Sequence, residues 1–316
     1  MSRSKAKTLY WIQNYGAIIF FCALLIFNCL FTRNFMRKQT FWNLAIQCFP
    51  TMMLGLGSTL VISTGNVNIA LGSMMALSAV LFAMLIEAGC SFAVALLLSV
   101  AVGAIPGIII GYVIARFKFP SMIVTMAFMY ILRGVAQVVC DGFAVSYKNS
   151  WIQNLTMVKV GGYVPIQIIV TLVLFIILYF FVQRTSFGIQ MQATGVNATA
   201  SEISGINVDR VIMVGFVICT VLAAFAGAEQ AMMVSLGDPT LGANNTFDGI
   251  CAAVIGGTPM SGGRANLVGT FFAALFLQLI SVMCNMRGVH YAYVYVIKAV
   301  LIFLACAVQV LGQKDD

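Results

Sequence analysis

Apolar residues occur along the chain in long runs, each closed by a charge, a glycine or a proline, and polar positions are confined to the short stretches between. A helix needs about 20 mostly apolar residues to cross the hydrocarbon core of a bilayer. On that measure ten segments are predicted, at approximately 15–31, 43–62, 67–86, 91–115, 121–139, 164–183, 211–232, 247–257, 267–286 and 291–311. The eighth would rise only about 16 Å as a helix. It is expected to be a broken or re-entrant element whose irregular ends are shielded by protein, because a free backbone polar group finds no partner in lipid. The pattern predicts an all-α polytopic membrane protein of about ten transmembrane or re-entrant helical segments, with residues 1–316 as a single transmembrane domain.

Composition leaves no room for a separate soluble catalytic domain. The chain is 61% hydrophobic and 8% charged, against about 25% charged in an average soluble domain. Its net charge of +8 raises nucleic acid as a partner. However, Arg3, Lys5, Lys7, Arg33, Arg37, Lys38, Arg116 and Lys118 sit between apolar runs rather than on one basic face, so they read as membrane anchors and no nucleic acid is expected. The nine cysteines include no C-x-x-C pair and read as small buried hydrophobes. A single histidine, His290, excludes a metal site built from several imidazoles, and no metal is expected. Met1 to Lys7 followed by an apolar run resembles a signal peptide, but no small-x-small site follows at Phe27 to Phe31, so the first span is expected there.

With a cytoplasmic N-terminus and the eighth segment counted as a passage, both termini lie inside. Inside loops and tails then carry nine Lys and Arg against six outside. Arg116, Lys118, Arg184 and Arg210 follow the positive-inside bias, whereas Arg33, Arg37 and Lys38 oppose it. The longest inward-facing polar connection, about 184–210, is not a linker in composition. Ala198 to Ile203 favours a short helix, Asn197 is a good N-cap, and Gly205 sits where a left-handed C-terminal cap would end it. Such an element is either a docking site or a stiff loop.

The glycine-rich stretch Gly256 to Arg264 invites a phosphate-binding reading and fails on chemistry, since no Lys-Ser or Lys-Thr dipeptide follows it to reach phosphate and metal. Glycines such as Gly55, Gly57, Gly103, Gly107, Gly111 and Gly269 fit close helix approach and broken helices instead. An ionised group near mid-bilayer costs roughly 2.5–3.5 kcal/mol on insertion scales and normally faces a partner or a wet cavity. Arg133, Glu229 and Lys298 are such groups and are expected to form an intramembrane charge cluster, with Glu229 the partner of Arg133; snorkelling to the headgroups is the alternative. Asn66 and Asn68 before the third segment, and Asn244, Asn245, Thr246 and Asp248 around the start of the eighth, lie near helix breaks. The amides among them offer donors and acceptors suited to a neutral polyol, or simply cap helices. An intramembrane enzyme lacks its equipment here: Asp238 and Asp248 are not in D-x-x-D spacing, and neither G-x-S-x-G nor H-E-x-x-H occurs. Transport is favoured by elimination.

Three blocks then carry a resemblance that spans most of the chain. Leu60-Val61-Ile62-Ser63-Thr64-Gly65-Asn66-Val67-Asn68-Ile69-Ala70-Leu71-Gly72-Ser73, with Ala76-Leu77, resembles the "VI-x-T-x-G-I-D-L-S-V-G-S-x-x-A-L" block of the permease subunits of bacterial ribose/monosaccharide ABC importers. Ala193-Thr194-Gly195-Val196-Asn197, with Ser204-Gly205-Ile206-Asn207-Val208, resembles their cytoplasmic "A-x-G-G-N…SGINV" loop. Asp248 to Thr258, then Ser261-Gly262-Gly263 and Gly269-Thr270, is similar to their "D-A-I-A-A-V-V-I-G-G-T-S-x-x-G-G…G-T". Asn68 stands where the family usually has Asp, and Thr246 where an acidic residue usually precedes Asp248.

The resemblance implies a pore-forming subunit of the bacterial inner membrane that receives a sugar-like solute from a periplasmic solute-binding protein. It implies a separate ABC ATP-binding subunit that holds ATP and Mg, no cofactor on this chain, and a second permease copy or a paralogous permease beside it. The 184–210 loop then becomes the coupling element, with Gly195, Asn197, Ala200, Glu202, Ser204 and Gly205 its candidate residues. Asn66, Asn68, Asn244, Asn245 and Asp248 become candidates for the translocation path. The alternatives are an ABC permease for a nucleoside or a branched-chain amino acid, and an ion-coupled secondary carrier working alone.

Overall fold

The computed structural model describes residues 3–32, 35–157, 159–160 and 164–313. In chain order the helices are α1 (Arg3–Phe31), α2 (Lys38–Ser63), α3 (Leu71–Glu87), α4 (Phe92–Ala101), α5 (Ala104–Phe117), α6 (Ser121–Val139), α7 (Ser150–Met157), α8 (Ile166–Arg184), α9 (Ser186–Val196), α10 (Ala198–Ile203), α11 (Val208–Val234), α12 (Asn245–Ile255), α13 (Leu267–Met286) and α14 (Tyr291–Gln313). The strands β1 (Val145–Ser146), β2 (Lys159–Val160), β3 (Val164–Pro165) and β4 (Leu236–Gly237) only staple loops, as the antiparallel pairs β1–β4 and β2–β3. Arg33 lies outside the described residues, as do the side chains of Arg3, Lys5, Lys7 and Cys306.

The all-α architecture matches the expectation. Six helices are long and apolar enough to cross a membrane among the described residues, counting α4–α5 as one. That is fewer than the ten segments expected; the other four are shorter apolar helices, at 16–31, 71–87, 245–255 and 292–304.

A helix that is apolar on every side belongs in a core, and α2 fits that rule: it is buried continuously from Cys48 to Ser63. It packs against α11, α12 and α13, while α11 packs on α5, α3 and α2. By contrast, α6 and α8 turn large apolar side chains outward, such as Ile123 and Val138, and Ile177 and Phe180. Outward apolar faces of this kind suit lipid or a partner helix. Arg37, Lys38, Arg116 and Lys118 are exposed near helix ends, where anchors belong.

Close approach of α5 to α11 depends on glycine. Gly103, Gly107 and Gly111 recur every fourth residue and so share one face of the helix. A Cβ on Gly107 would collide with Thr220 Oγ1 and stand 2.7 Å from Val217 Cα; one on Gly111 would stand 2.6 Å from Met213 Cα. The helix-packing reading of these glycines is the one the contacts support.

Three local differences from expectation have physical causes. The fourth segment is interrupted at Val102–Gly103, between α4 and α5. Pro106 has no N–H to return to the Val102 carbonyl, which weakens the helix at that turn. The 184–210 connection contains an extra helix, α9, ahead of α10. The eighth segment is indeed a short helix, α12, of 11 residues, flanked by the irregular stretch 256–266. A matching irregular stretch, 64–70, separates α2 from α3.

Replacing Gly107 by Leu should wedge α5 away from α11 and cost at least the roughly 1–3 kcal/mol of an overpacked core. Gly134 on α6 has open space where a Cβ would go, so Gly134→Ala should leave stability unchanged or raise it by up to about 1 kcal/mol. Thermal unfolding of both variants in detergent checks the contrast.

Candidate solute pocket and coupling face

The polar chemistry of the bundle is gathered in a cavity of about 290 Å³ between α2, α11, α12, α13 and α14. Six amides line it: Gln47, Gln230, Asn244, Asn245, Gln278 and Asn285. Gln278 Nε2 donates to Gln47 Oε1 at 3.1 Å, and Asn244 Nδ2 donates to the Tyr295 hydroxyl at 2.8 Å. Lys298 Nζ meets Asp248 Oδ2 at 2.7 Å, with the two side chains 12% and 18% exposed. The pair neutralises itself, which leaves a wall of amide donors and acceptors without net charge. Asp248 stands in the first turn of α12, where the helix dipole favours a carboxylate.

Asn244, Asn245, Asp248 and Lys298 are thus brought together, while other candidates are not. Asn68 is buried, with Oδ1 accepting from the Ala70 N–H at 3.0 Å and Nδ2 directed at Cys219 Sγ at 3.8 Å. Asn66 Nδ2 donates to the Thr64 carbonyl and hydroxyl. Both side chains therefore bond to groups at the 64–70 break and, for Asn68, to Cys219; neither caps α3 and neither lines this cavity. Thr246 Oγ1 accepts from the Gly72 N–H at 2.8 Å and so ties α12 to the start of α3.

The expected three-charge cluster is corrected. Arg133 Nη1 donates to the carbonyls of Pro239 and Leu241, at 2.5 and 2.9 Å. Non-helical carbonyls of the 235–244 loop meet its charge, so it has no need of Glu229. Glu229 lines a different cavity, and Lys298 pairs with Asp248. Gln47, Gln230, Gln278, Asn285 and Tyr295 were not singled out from the sequence. Their signal was available, since an amide inside an apolar run is costly in lipid unless it faces protein or water.

The opposite end of α2 meets the polar connection. Ser63 lies about 24 Å along the helix from Gln47. A Cβ on Gly195, near the end of α9, would collide with the Ser63 carbonyl and stand 2.5 Å from Gly263 N. Gly263 N–H in turn donates to the Ser63 carbonyl at 2.9 Å. The ends of α2 and α9 and the 256–266 stretch therefore touch backbone to backbone. Beyond this junction, Asn197 Oδ1 accepts from the Ala200 N–H at 2.9 Å, and Gly205 takes a φ of +84°. Ala200, Glu202, Ser204 and Gly205 are exposed, and so are the apolar side chains of Val196 and Ile203.

The family described as "Branched-chain amino acid transport system / permease component" matches residues 40–306. The chain belongs to this permease family. It is similar to the ribose import permease protein of Escherichia coli K12, at 29% identity over 306 residues, 95% of each chain. The ribose import permease protein of Bacillus subtilis 168 is 32% identical over 298 residues, 93% of this chain and 92% of that one. The galactofuranose transporter permease protein of Escherichia coli K12 is 29% identical over 268 residues, 82% and 76% of the two chains. No solved structure matches. The permease is accordingly a multi-pass membrane protein and a component of an ABC import system.

Asp248→Asn and Lys298→Met, made singly, each leave a partly buried charge without its partner. Each should lower stability by about 2–3 kcal/mol, less than the roughly 3–5 kcal/mol of a fully dehydrated pair because both groups keep some exposure. The double variant should recover part of that loss. A double-mutant cycle by chemical denaturation in detergent measures it.

Proposed function

We propose that this permease carries a monosaccharide inward through the amide-lined cavity, driven by ATP hydrolysis on a separate subunit. The cavity itself carries the reading: six amides and a self-neutralised ion pair suit hydroxyl groups, each a donor and an acceptor, and offer no free charge for an ionic solute. Its relatives named for ribose and galactofuranose transport support the same solute class. An amino acid carries both charges, and at this cavity Asp248 and Lys298 already satisfy one another.

In this reading α9 and α10 are the coupling element, facing the cytoplasm together with both termini. Exposed Val196 and Ile203, on a polar capped turn, offer the ABC ATP-binding subunit an apolar foothold. ATP and Mg belong to that subunit. The backbone contact among Gly195, Ser63 and Gly263 transmits its motion to both helix breaks. Solute reaches the opposite end from a periplasmic solute-binding protein, and a second permease copy or a paralogue completes the pore.

Reconstitution in liposomes tests the division of labour. With the ATP-binding subunit and the binding protein, a pentose should accumulate only when ATP is present; uptake by the permease alone would make it a secondary carrier. Gly205→Val should insert normally yet lose most coupling of ATP hydrolysis to uptake, because an L-residue in the left-handed region costs roughly 1–2 kcal/mol and a β-branched one more. Gly205→Asn, which tolerates that region, should retain coupling. Uptake and ATPase rates, measured together, separate the two variants.

A further inference from the structure

On another face of α2 and α11, a second cavity of about 330 Å³ lies among α2, α4, α7, α8 and α11. Apart from Gln167 and Glu229 its walls are apolar, with the rings of Phe49, Phe92 and Phe225 among them. Glu229 is set into this lining. It is 5% exposed, and neither carboxyl oxygen has a hydrogen-bond partner among the described residues. Among the described residues no Lys, Arg or His lines the cavity. The other two intramembrane charges are compensated, Arg133 by carbonyls and Lys298 by Asp248.

A buried carboxylate without a partner costs several kcal/mol, and an apolar side chain of similar volume would fill the site without that cost. Here the carboxyl borders a space within the size range of small-molecule pockets, about 300–1,000 Å³. Two vacant acceptor oxygens call for a ligand rich in donors. A primary ammonium has three donors, no acceptor and the complementary charge, and aromatic rings beside it favour a cation further. The apolar remainder of the cavity requires an apolar body. We propose that this cavity binds a primary ammonium group carried on a compact apolar body, with Glu229 as its counter-ion. The apolar lining assigns the ammonium to a free lipophilic amine rather than to a phospholipid headgroup, whose phosphate would find no cation here among the described residues.

The test uses the full-length permease in nanodiscs of phosphatidylcholine, whose quaternary ammonium cannot donate. Added 4-phenylbutylamine should raise the thermal midpoint saturably, while 4-phenylbutanol should not. Glu229→Gln, similar in shape and uncharged, should weaken the apparent affinity by about tenfold or more, the scale of losing a charge-assisted contact. Val170→Phe, which adds a ring to the lining from α8 and leaves Glu229 in the chain, should abolish the response. Including phosphatidylethanolamine should leave the response to the amine unchanged, and a Glu229-dependent loss of that response would overturn the assignment to an amine on an apolar body. The proposal is overturned if the amine has no effect in phosphatidylcholine, if the alcohol acts equally, or if Val170→Phe responds as wild type does. That last comparison decides the matter even where Glu229→Gln fails to fold.

Discussion

A backbone amide or carbonyl released from a helix inside the bilayer must find its partner in the protein, because lipid offers none. The structure breaks its helices at 64–70, 235–244 and 256–266 and meets this demand at each break. Gly263 N–H bonds to the Ser63 carbonyl, and Gly72 N–H to Thr246 Oγ1. Asn266 N–H bonds to Thr258 Oγ1, and Gly269 N–H to Asn266 Oδ1. Arg133 takes up the carbonyls of Pro239 and Leu241. Thr, Asn and Arg side chains, and at Gly263 a backbone carbonyl, thus take up groups that the helical ladder leaves at these breaks.

Those bonds require the segments to lie almost in contact, which explains why the breaks are rich in glycine. Gly256 and Gly269 approach so closely that a Cβ on either would strike the other's backbone or its neighbour's. Gly195 stands in the same relation to Ser63. Junctions this close leave no room for a side chain where the ends of α9 and α2 meet the 256–266 stretch. The same economy places α12 short of a full span, and its N-terminal residues Asn244, Asn245 and Asp248 open into the polar cavity rather than into lipid.

The two cavities beside α2 and α11 illustrate opposite treatments of charge. In the amide-lined cavity Lys298 and Asp248 cancel at 2.7 Å, and the remaining groups are neutral. In the other, which Gln167 also lines, the Glu229 oxygens have no hydrogen-bond partner among the described residues. Positions 229 and 230 are adjacent in sequence, so a turn of about 100° between neighbours on a helix separates the two environments.

Much of this protein was determined by sequence alone. Runs of about 20 apolar residues require helices in a membrane whatever packs around them, and α2, α6, α8, α11 and α13 appear where those runs predict. The shortness of α12, the Asn197 cap and the left-handed Gly205 are equally local, each following from a few neighbouring residues. What tertiary structure decided is which polar groups meet. Nothing near Arg133 in sequence indicates that carbonyls 106 and 108 residues away satisfy it in place of Glu229. Nor does any local pattern separate Asn68, spent on backbone, from Asn245, which lines the cavity. Gln47 and Gln278, 231 residues apart, become a pair only when α13 is laid against α2. Local propensity and hydropathy act within a turn or a span, whereas the pairing of buried polar groups is set by the relative placement of helices, so only the assembled bundle reveals it.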